Sequence, residues 1–182
     1  MRIIAGTAKG RKLLMPDGFE IRPTGARAKE AVFSILGTRV GEAKLLDLFA
    51  GSGALGLEAL SRGAALVVAV DNGREATRII AENVGALGFG ERYELMPFDC
   101  SIALDRLSSR TEAFDLIFLD PPYGYEGTVG LIEKCVPLIA VNGMIVLESE
   151  EPPQKAPKGF SVSDTRMYGR ERFTFMKPEK SH

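Results

Sequence analysis

The 182-residue chain, 19.7 kDa with 45% hydrophobic and 26% charged residues, has the balance of a soluble globular protein and enough length to bury one substantial core. No apolar run approaches the roughly 20 residues that cross a bilayer. The opening Met1-Arg2-Ile3-Ile4-Ala5-Gly6 is too short and interrupted for a secretory signal, so a cytoplasmic protein without a membrane partner is expected. Two separated cysteines, Cys100 and Cys135, and one histidine, His182, offer no disulfide framework, no metal centre and no histidine-dependent triad.

Net charge is −1, yet it is unevenly spread. Residues 1–44 carry nine Lys or Arg against four acids, residues 158–182 six against three, and the middle eight against seventeen. Basic ends around an acidic centre fit phosphate at the ends and a small cation in the middle. Solvated termini would give the same pattern.

In chain order, residues 1–15 read as a small hairpin, with Arg2–Ala5 and Arg11–Leu14 flanking a Gly10 turn. Thr24 is a candidate N-cap for a helix over 25–36, whose apolar positions Ala28, Ala31, Val32 and Ile35 would leave Arg27 and Lys29 in solvent. Gly37 would end it. Residues 1–40 are thus expected to form a basic extension and 41–182 the main domain.

The body alternates. Strands are expected over Leu45–Phe49, Leu66–Val70, Tyr93–Met96, Phe114–Leu119 and Met144–Glu148, with helices over Ala54–Arg62, Arg74–Leu87, Ile102–Leu107 and Thr128–Ile139. Such alternation predicts an α/β, Rossmann-like fold: a mostly parallel sheet with right-handed crossovers and helices on both faces. After a proline-rich connector, Phe160–Val162 and Arg172–Phe175 would add an antiparallel pair at one edge.

Asp47-Leu48-Phe49-Ala50-Gly51-Ser52-Gly53-Ala54-Leu55-Gly56 joins the first body strand to its helix. Gly51 and Gly53 allow a tight turn and close ligand approach, and Asp71 ends the next strand where an acid meets ribose hydroxyls. Asp71 could equally cap the following helix. Asp47, just before the turn, would repel a pyrophosphate but attract an ammonium and a sulfonium. S-adenosylmethionine carries both cations and NAD neither, so the former is the expected cofactor. Asp99 could accept an adenine amine while Cys100 offers a backbone N–H, or Asp99 could serve as an N-cap. Phe49 and Asn72 complete the candidate cofactor set. Cys100 reads as a small packing residue, since no base flanks it.

Asp120-Pro121-Pro122-Tyr123 follows a buried apolar run. The prolines have no N–H and a fixed φ, so the chain leaves the sheet with carbonyls pointing out as acceptors. Asp120 and the Pro121 carbonyl could hold the two hydrogens of a nucleobase amine while Tyr123 stacks on the base. A proline-stiffened turn capped by Asp120 is the plain alternative.

Leu45–Ala64 followed by Asp-Pro-Pro-Tyr at 120–123 resembles class I S-adenosylmethionine-dependent methyltransferases acting on exocyclic amines. With Arg2–Gly6, Gly10–Leu13, Arg22-Pro23-Thr24 and Glu30–Phe33, the chain resembles the bacterial RsmD family, which methylates the N2 amine of a guanine (the guanine-966 type) in 16S ribosomal RNA. That resemblance implies a seven-stranded sheet. It puts Asp47, Gly51 and Gly53 at the methionine part of the cofactor, Asp71 at the ribose, Asp99 at the adenine, and Asp120–Tyr123 around a flipped guanine. The partner would be 16S RNA, naked or in an assembling small subunit, and a monomer is expected. Lys9, Arg11, Lys12, Arg22, Arg27 and Lys29 are the candidate phosphate contacts, with Arg170 and Arg172 behind them. A DNA adenine-N6 or cytosine-N4 methyltransferase is the nearest rival. An NAD-dependent oxidoreductase or a noncatalytic RNA-binding protein is more distant.

Overall fold

Short runs of β-branched and aliphatic residues become the centre of a twisted sheet because both of their faces are covered. The computed structural model describes residues 1–16, 23–153 and 155–179, with the side chains of 23 and 24 left aside. The strands are β1 (Lys44–Leu48), β2 (Leu66–Val70), β3 (Tyr93–Met96), β4 (Phe114–Leu119), β5 (Ile139–Ser149), β6 (Phe160–Tyr168) and β7 (Glu171–Pro178), in the spatial order β3-β2-β1-β4-β5-β7-β6. Strands β1 to β5 pair in parallel, and β7 runs antiparallel between β5 and β6.

Helices α1 (Pro23–Leu36), α2 (Ala54–Ser61) and α3 (Arg74–Leu87) lie on one face, and α4 (Cys100–Ser108) and α5 (Thr128–Lys134) on the other. The first face packs Val32, Phe33, Leu57 and Ile80 with Leu45, Val67, Phe118 and Val146. The second packs Leu104, Leu107, Leu131 and Ile132 with Leu46, Val68, Ile117 and Ile145. Alternation along each strand supplies both cores.

The amino-terminal segment closes as the expected hairpin: Arg2 bridges Lys12, and the Ile3, Gly10 and Leu13 N–H groups donate to the Arg11, Ile3 and Met1 carbonyls at 3.0, 2.9 and 3.0 Å. Further backbone groups of the hairpin are held by side chains of α2. Glu58 is fully buried and accepts the Ile4 and Ala5 N–H groups at 2.8 and 3.0 Å. A buried carboxylate also needs compensating charge, which Lys29 (3.2 Å) and Arg62 (2.8 Å) provide. Lys29 is therefore not on the solvent face: it is buried, and its ammonium also donates to the Arg2 carbonyl at 3.2 Å. The expected phosphate contact at Lys29 is corrected to a buried tie between α1 and α2. Helical spacing misplaced it because a long cation can be drawn inward by one buried acid.

Other boundaries moved for local reasons. Helix α1 takes in Pro23 and Thr24, so Thr24 lies within the helix rather than before it, and a proline at the first helical position costs no hydrogen bond. Helix α4 starts two residues early, at Cys100, because Asp99 caps it. Helix α5 ends at Lys134, short of Pro137, whose ring and missing N–H exclude it from a helix interior. Strands β6 and β7 are far longer than expected, and β6 is largely solvent-exposed, as an edge strand carrying Asp164 and Arg166 can be. Among the described residues, no helix is long and apolar enough to cross a membrane.

Candidate active site

Parallel pairing brings the carboxyl ends of β1, β2, β4 and β5 to one rim. Leu48 pairs with Val70 on one side and with Leu119 on the other. The Ala50 N–H donates to the Val70 carbonyl at 3.0 Å and the Asp120 N–H reaches the Leu48 carbonyl at 3.4 Å. The glycine turn and the Asp-Pro-Pro-Tyr turn, about 70 residues apart in sequence, are therefore next-door strand exits.

The glycine turn is shaped by its own sequence. Phe49 adopts φ +64°, and Gly51 and Gly53 have φ +58° and +76°, a left-handed path that residues other than glycine seldom follow. A Cβ at Gly53 would lie 2.9 Å from the Tyr93 hydroxyl, and one at Gly56 2.7 Å from a Val67 methyl, so α2 sits directly on the sheet. Asp71 accepts the Gly51 and Gly73 N–H groups, each at 2.8 Å. It pins the loop's shape and leaves each oxygen a further lone pair.

Asp47 is 1% exposed. Its Oδ2 accepts from the Gly56 N–H at 3.3 Å, while Oδ1 has no partner among the described residues. Burial raises its carboxyl to about 7, against the pull of the Gly56 N–H, and the Asp120 and Asp71 charges add to the rise. A buried acid with one unpartnered oxygen could serve as a socket for a cation. The Tyr93 hydroxyl, also buried without a partner, is pushed up by burial and then by the Asp47 and Asp71 charges.

Beside this socket, Phe49, Asp71, Asn72, Phe98, Asp99 and Cys100 line a narrow cleft of about 40 Å³. Five of the eight expected cofactor residues meet there. Phe98 was not expected; an aromatic immediately before a rim aspartate was the available signal, and the Arg106 guanidinium lies over its ring, 4.0 Å from the centroid. Asp99 uses Oδ1 to cap α4 through the Ser101 N–H at 2.8 Å, so its capping role is real. Burial pushes the Cys100 thiol up to about 12, which makes it a packing group.

At the neighbouring exit, the Pro122 carbonyl accepts the Tyr125 N–H at 3.1 Å, and among the described residues the Pro121 carbonyl has no protein donor. Tyr123 is 89% exposed, its ring open on the rim. Tyr125 packs edge-on against Phe49 at 5.2 Å, bridging the two turns. Asp120 is open to solvent on one side, yet the protein packed around its carboxyl, and then the Glu171 charge, raise it to about 6. Glu148, one step along on β5, is raised to about 8 by burial, Asp120 and Glu171. Neither Glu148 nor Glu171 was singled out in the sequence, because nothing local distinguishes them from surface acids.

Of the candidate phosphate contacts, Lys9, Arg11, Lys12 and Arg27 are exposed, and Arg11 reaches the Ala86 carbonyl at 2.7 Å. Arg22 lies outside the described residues.

A 3-2-1-4-5-7-6 sheet with an acid-flanked glycine turn beside an Asp-Pro-Pro-Tyr exit defines the Rossmann-like class I methyltransferase fold. Residues 1–177 match the family model described as "Conserved hypothetical protein 95", and the chain belongs to that family, the RsmD family. Ribosomal RNA small subunit methyltransferase D of Escherichia coli K12 is 36% identical over 82% of this chain and 71% of its own. The protein of the same name from Haemophilus influenzae is 31% identical over 93% and 89%. The solved structure of yhhF from Escherichia coli superposes with a TM-score of 0.85 at 31% identity, covering 100% of this chain and 99% of that one. SMU.776, solved in complex with SAH, shares the fold at TM-score 0.71 and 15% identity, over 91% of this chain and 52% of its own.

Proposed function

We propose that this protein transfers a methyl group from S-adenosylmethionine to the exocyclic N2 of a guanine in 16S ribosomal RNA. The observation that carries the proposal is the adjacency of two strand exits: a buried acid with an empty oxygen at β1, and an acceptor turn with an open aromatic ring at β4. The relatives named for small-subunit ribosomal RNA favour that substrate over DNA.

The residues fit the cofactor. The unpaired Asp47 Oδ1 would take its ammonium, the open lone pairs of Asp71 the ribose, and the cleft lined by Phe49, Phe98, Asp99 and Cys100 the adenine. When bound, S-adenosylmethionine supplies a methyl on a sulfonium, which is left as a thioether once the N–CH₃ bond forms.

The protein's own part is positioning. A guanine N2 lone pair is delocalised into its ring and attacks poorly. Asp120 and the Pro121 carbonyl accept the two amine hydrogens, drawing the nitrogen toward tetrahedral geometry with its lone pair aimed along the rim. The methylated amine is acidic and passes its proton to Asp120, so no base is needed beforehand. A base in RNA secondary structure must leave its stack to reach this turn. Tyr123 replaces part of that stacking, worth about 1–3 kcal/mol per base. Lys9, Arg11, Lys12 and Arg27 hold the phosphates, in a protein that acts as a monomer in the cytoplasm.

The test is methyl transfer from labelled cofactor to 16S RNA, to small subunits and to duplex DNA, followed by nucleoside analysis. N2-methylguanosine in the RNA is expected, together with loss of transfer but retained RNA binding in Asp120→Ala. Label in DNA alone, or a methyl on another base, refutes the assignment.

A further inference from the structure

Asn83 is a buried polar residue on α3 that neither pocket uses. It is 2% exposed, and its amide serves two separate pieces of chain. Nδ2 donates to the Ser52 carbonyl inside the glycine turn at 3.0 Å and to the Leu14 carbonyl at 3.1 Å, while Oδ1 accepts from the Leu14 N–H at 2.8 Å. Both donors are spent, and the Leu14 N–H fixes which end is oxygen. Leu14 itself is 51% exposed. It is its backbone that the amide grips.

Ser52 stands between Gly51 and Gly53, so the direction of its carbonyl sets the orientation of the following peptide plane in the turn. The amino-terminal arm that bears Leu14 is fastened elsewhere to the far end of the helix that leaves this turn. Ser61 accepts the Ala8 N–H at 2.9 Å, donates to the Ala5 carbonyl at 2.6 Å, and accepts the Thr7 N–H on its own carbonyl at 2.8 Å. Gly6 lies so close that a Cβ there would come within 1.7 Å of the Ser61 carbonyl oxygen. The arm thus braces the cofactor turn directly, through Asn83, and the helix behind it, through Ser61.

We propose that Asn83 is a positioning residue that makes docking of the amino-terminal arm part of the cofactor site, so that cofactor affinity depends on residues that never touch the cofactor. If the arm lifts, the Asn83 amide loses its hold on Leu14 and is free to turn away from Ser52, and the turn loses the bond that orients it. By linkage the effect is reciprocal: a filled cofactor site holds the arm down. This rests on the reading of the glycine turn as a cofactor site and deepens it. Because the same arm carries Lys9, Arg11 and Lys12, RNA and cofactor would then favour the same docked state.

The test uses the full chain, with S-adenosylhomocysteine as the probe in calorimetry and amide hydrogen exchange. Asn83→Asp keeps the shape and the acceptor but loses both donors, and a roughly tenfold weaker affinity is expected. Gly6→Ala, which drives a Cβ into the Ser61 carbonyl where the arm meets α2, and Leu14→Pro, which removes the N–H that Asn83 holds, are expected to weaken binding about three- to tenfold. In turnover assays these losses should appear in KM for S-adenosylmethionine with kcat within about twofold, whereas general misfolding would lower kcat. In the unaltered protein, S-adenosylhomocysteine should slow exchange of the Leu14 amide, a readout that needs no variant to fold. Arm variants that bind like the parent, or a Leu14 amide indifferent to ligand, overturn the proposal. A parent protein that binds no S-adenosylhomocysteine but does bind NADH overturns the functional reading instead.

Discussion

Asp47 offers a quantitative test of how the rim binds a cation. In the free protein its carboxyl sits at about 7, raised first by burial. With an ammonium against the empty oxygen, the charged form is favoured and the carboxyl falls back toward the usual acid range. Binding then expels a proton wherever Asp47 begins protonated. Below pH 7 each unit of acidification should weaken S-adenosylmethionine about tenfold, or 1.36 kcal/mol, and affinity should level off above pH 7. Calorimetry between pH 5 and 7 stays below the ordinary range of the ligand's own α-amine, about 7.7–8.0, and repeating it in buffers of different ionisation enthalpy counts the protons released, about half of one at pH 7. Asp47→Asn should abolish the pH dependence and bind weakly throughout. An affinity flat across this range, with no proton released, would refute the claim that Asp47 meets the cation.

The apo protein should become more stable on acidification from pH 8 to pH 6, because Asp47, Asp120 and Glu148 all bind protons more tightly folded than unfolded; their contribution is full below about pH 4 and is lost as pH rises through 6 to 8, and denaturant melts at each pH will show the sign. Lys29→Ala should cost about 1–3 kcal/mol in the same melts, since Glu58 stays buried with Arg62 and two N–H donors but loses one charged partner. In filter binding it should leave the salt slope unchanged, because Lys29 neutralises no phosphate, while Lys9→Ala, Arg11→Ala or Lys12→Ala weakens binding and flattens the slope by about one. Gly53→Ala forces a left-handed alanine against the Tyr93 hydroxyl; a loss of roughly 1–2 kcal/mol in stability and weaker cofactor binding should appear together.

How far the sequence could be read depended on whether a signal was local. Strand β2 is a continuous apolar run and β4 is broken only by the exposed Asp115, and both, like β3 and α3, lie residue for residue where the pattern put them. The glycine turn and the Asp-Pro-Pro-Tyr exit were legible because backbone chemistry there demands particular residue types. What was hidden was long-range. Lys29 looks like any solvent-facing lysine until Glu58, 29 residues on, is found buried beneath it. Asn83 reads as a routine helix residue, and its three hydrogen bonds reach segments 31 and 69 positions away. Glu148 and Glu171 acquire meaning only when β7 inserts beside β5. The long edge strands were underestimated because β6 is polar along most of its length, and its pairing is supplied by β7 rather than by its own pattern.

These hidden contacts share a cause with the site. A parallel sheet delivers its strand exits to one edge, so residues chosen for ligand chemistry accumulate where burial by neighbouring loops is already partial. Burial raises the proton affinity of Asp47, Asp120 and Glu148 there; the Asp120 charge adds to the rise at Asp47 and Glu148, Asp71 adds at Asp47, and Glu171 adds at Asp120 and Glu148. The cost falls on the empty protein, and a cation arriving at the rim relieves it. The empty rim thus holds acids that burial first, and neighbouring charges second, disfavour in their ionised form, and the scaffold must hold them there from elsewhere. Glu58 with its two cations, and Asn83 with its two carbonyls and one N–H, lie one layer behind the rim and fasten the arm and helices to it. The strain at the sheet edge and the polar ties beneath it are in this sense one arrangement, and weakening the ties should erode cofactor affinity before it unfolds the core.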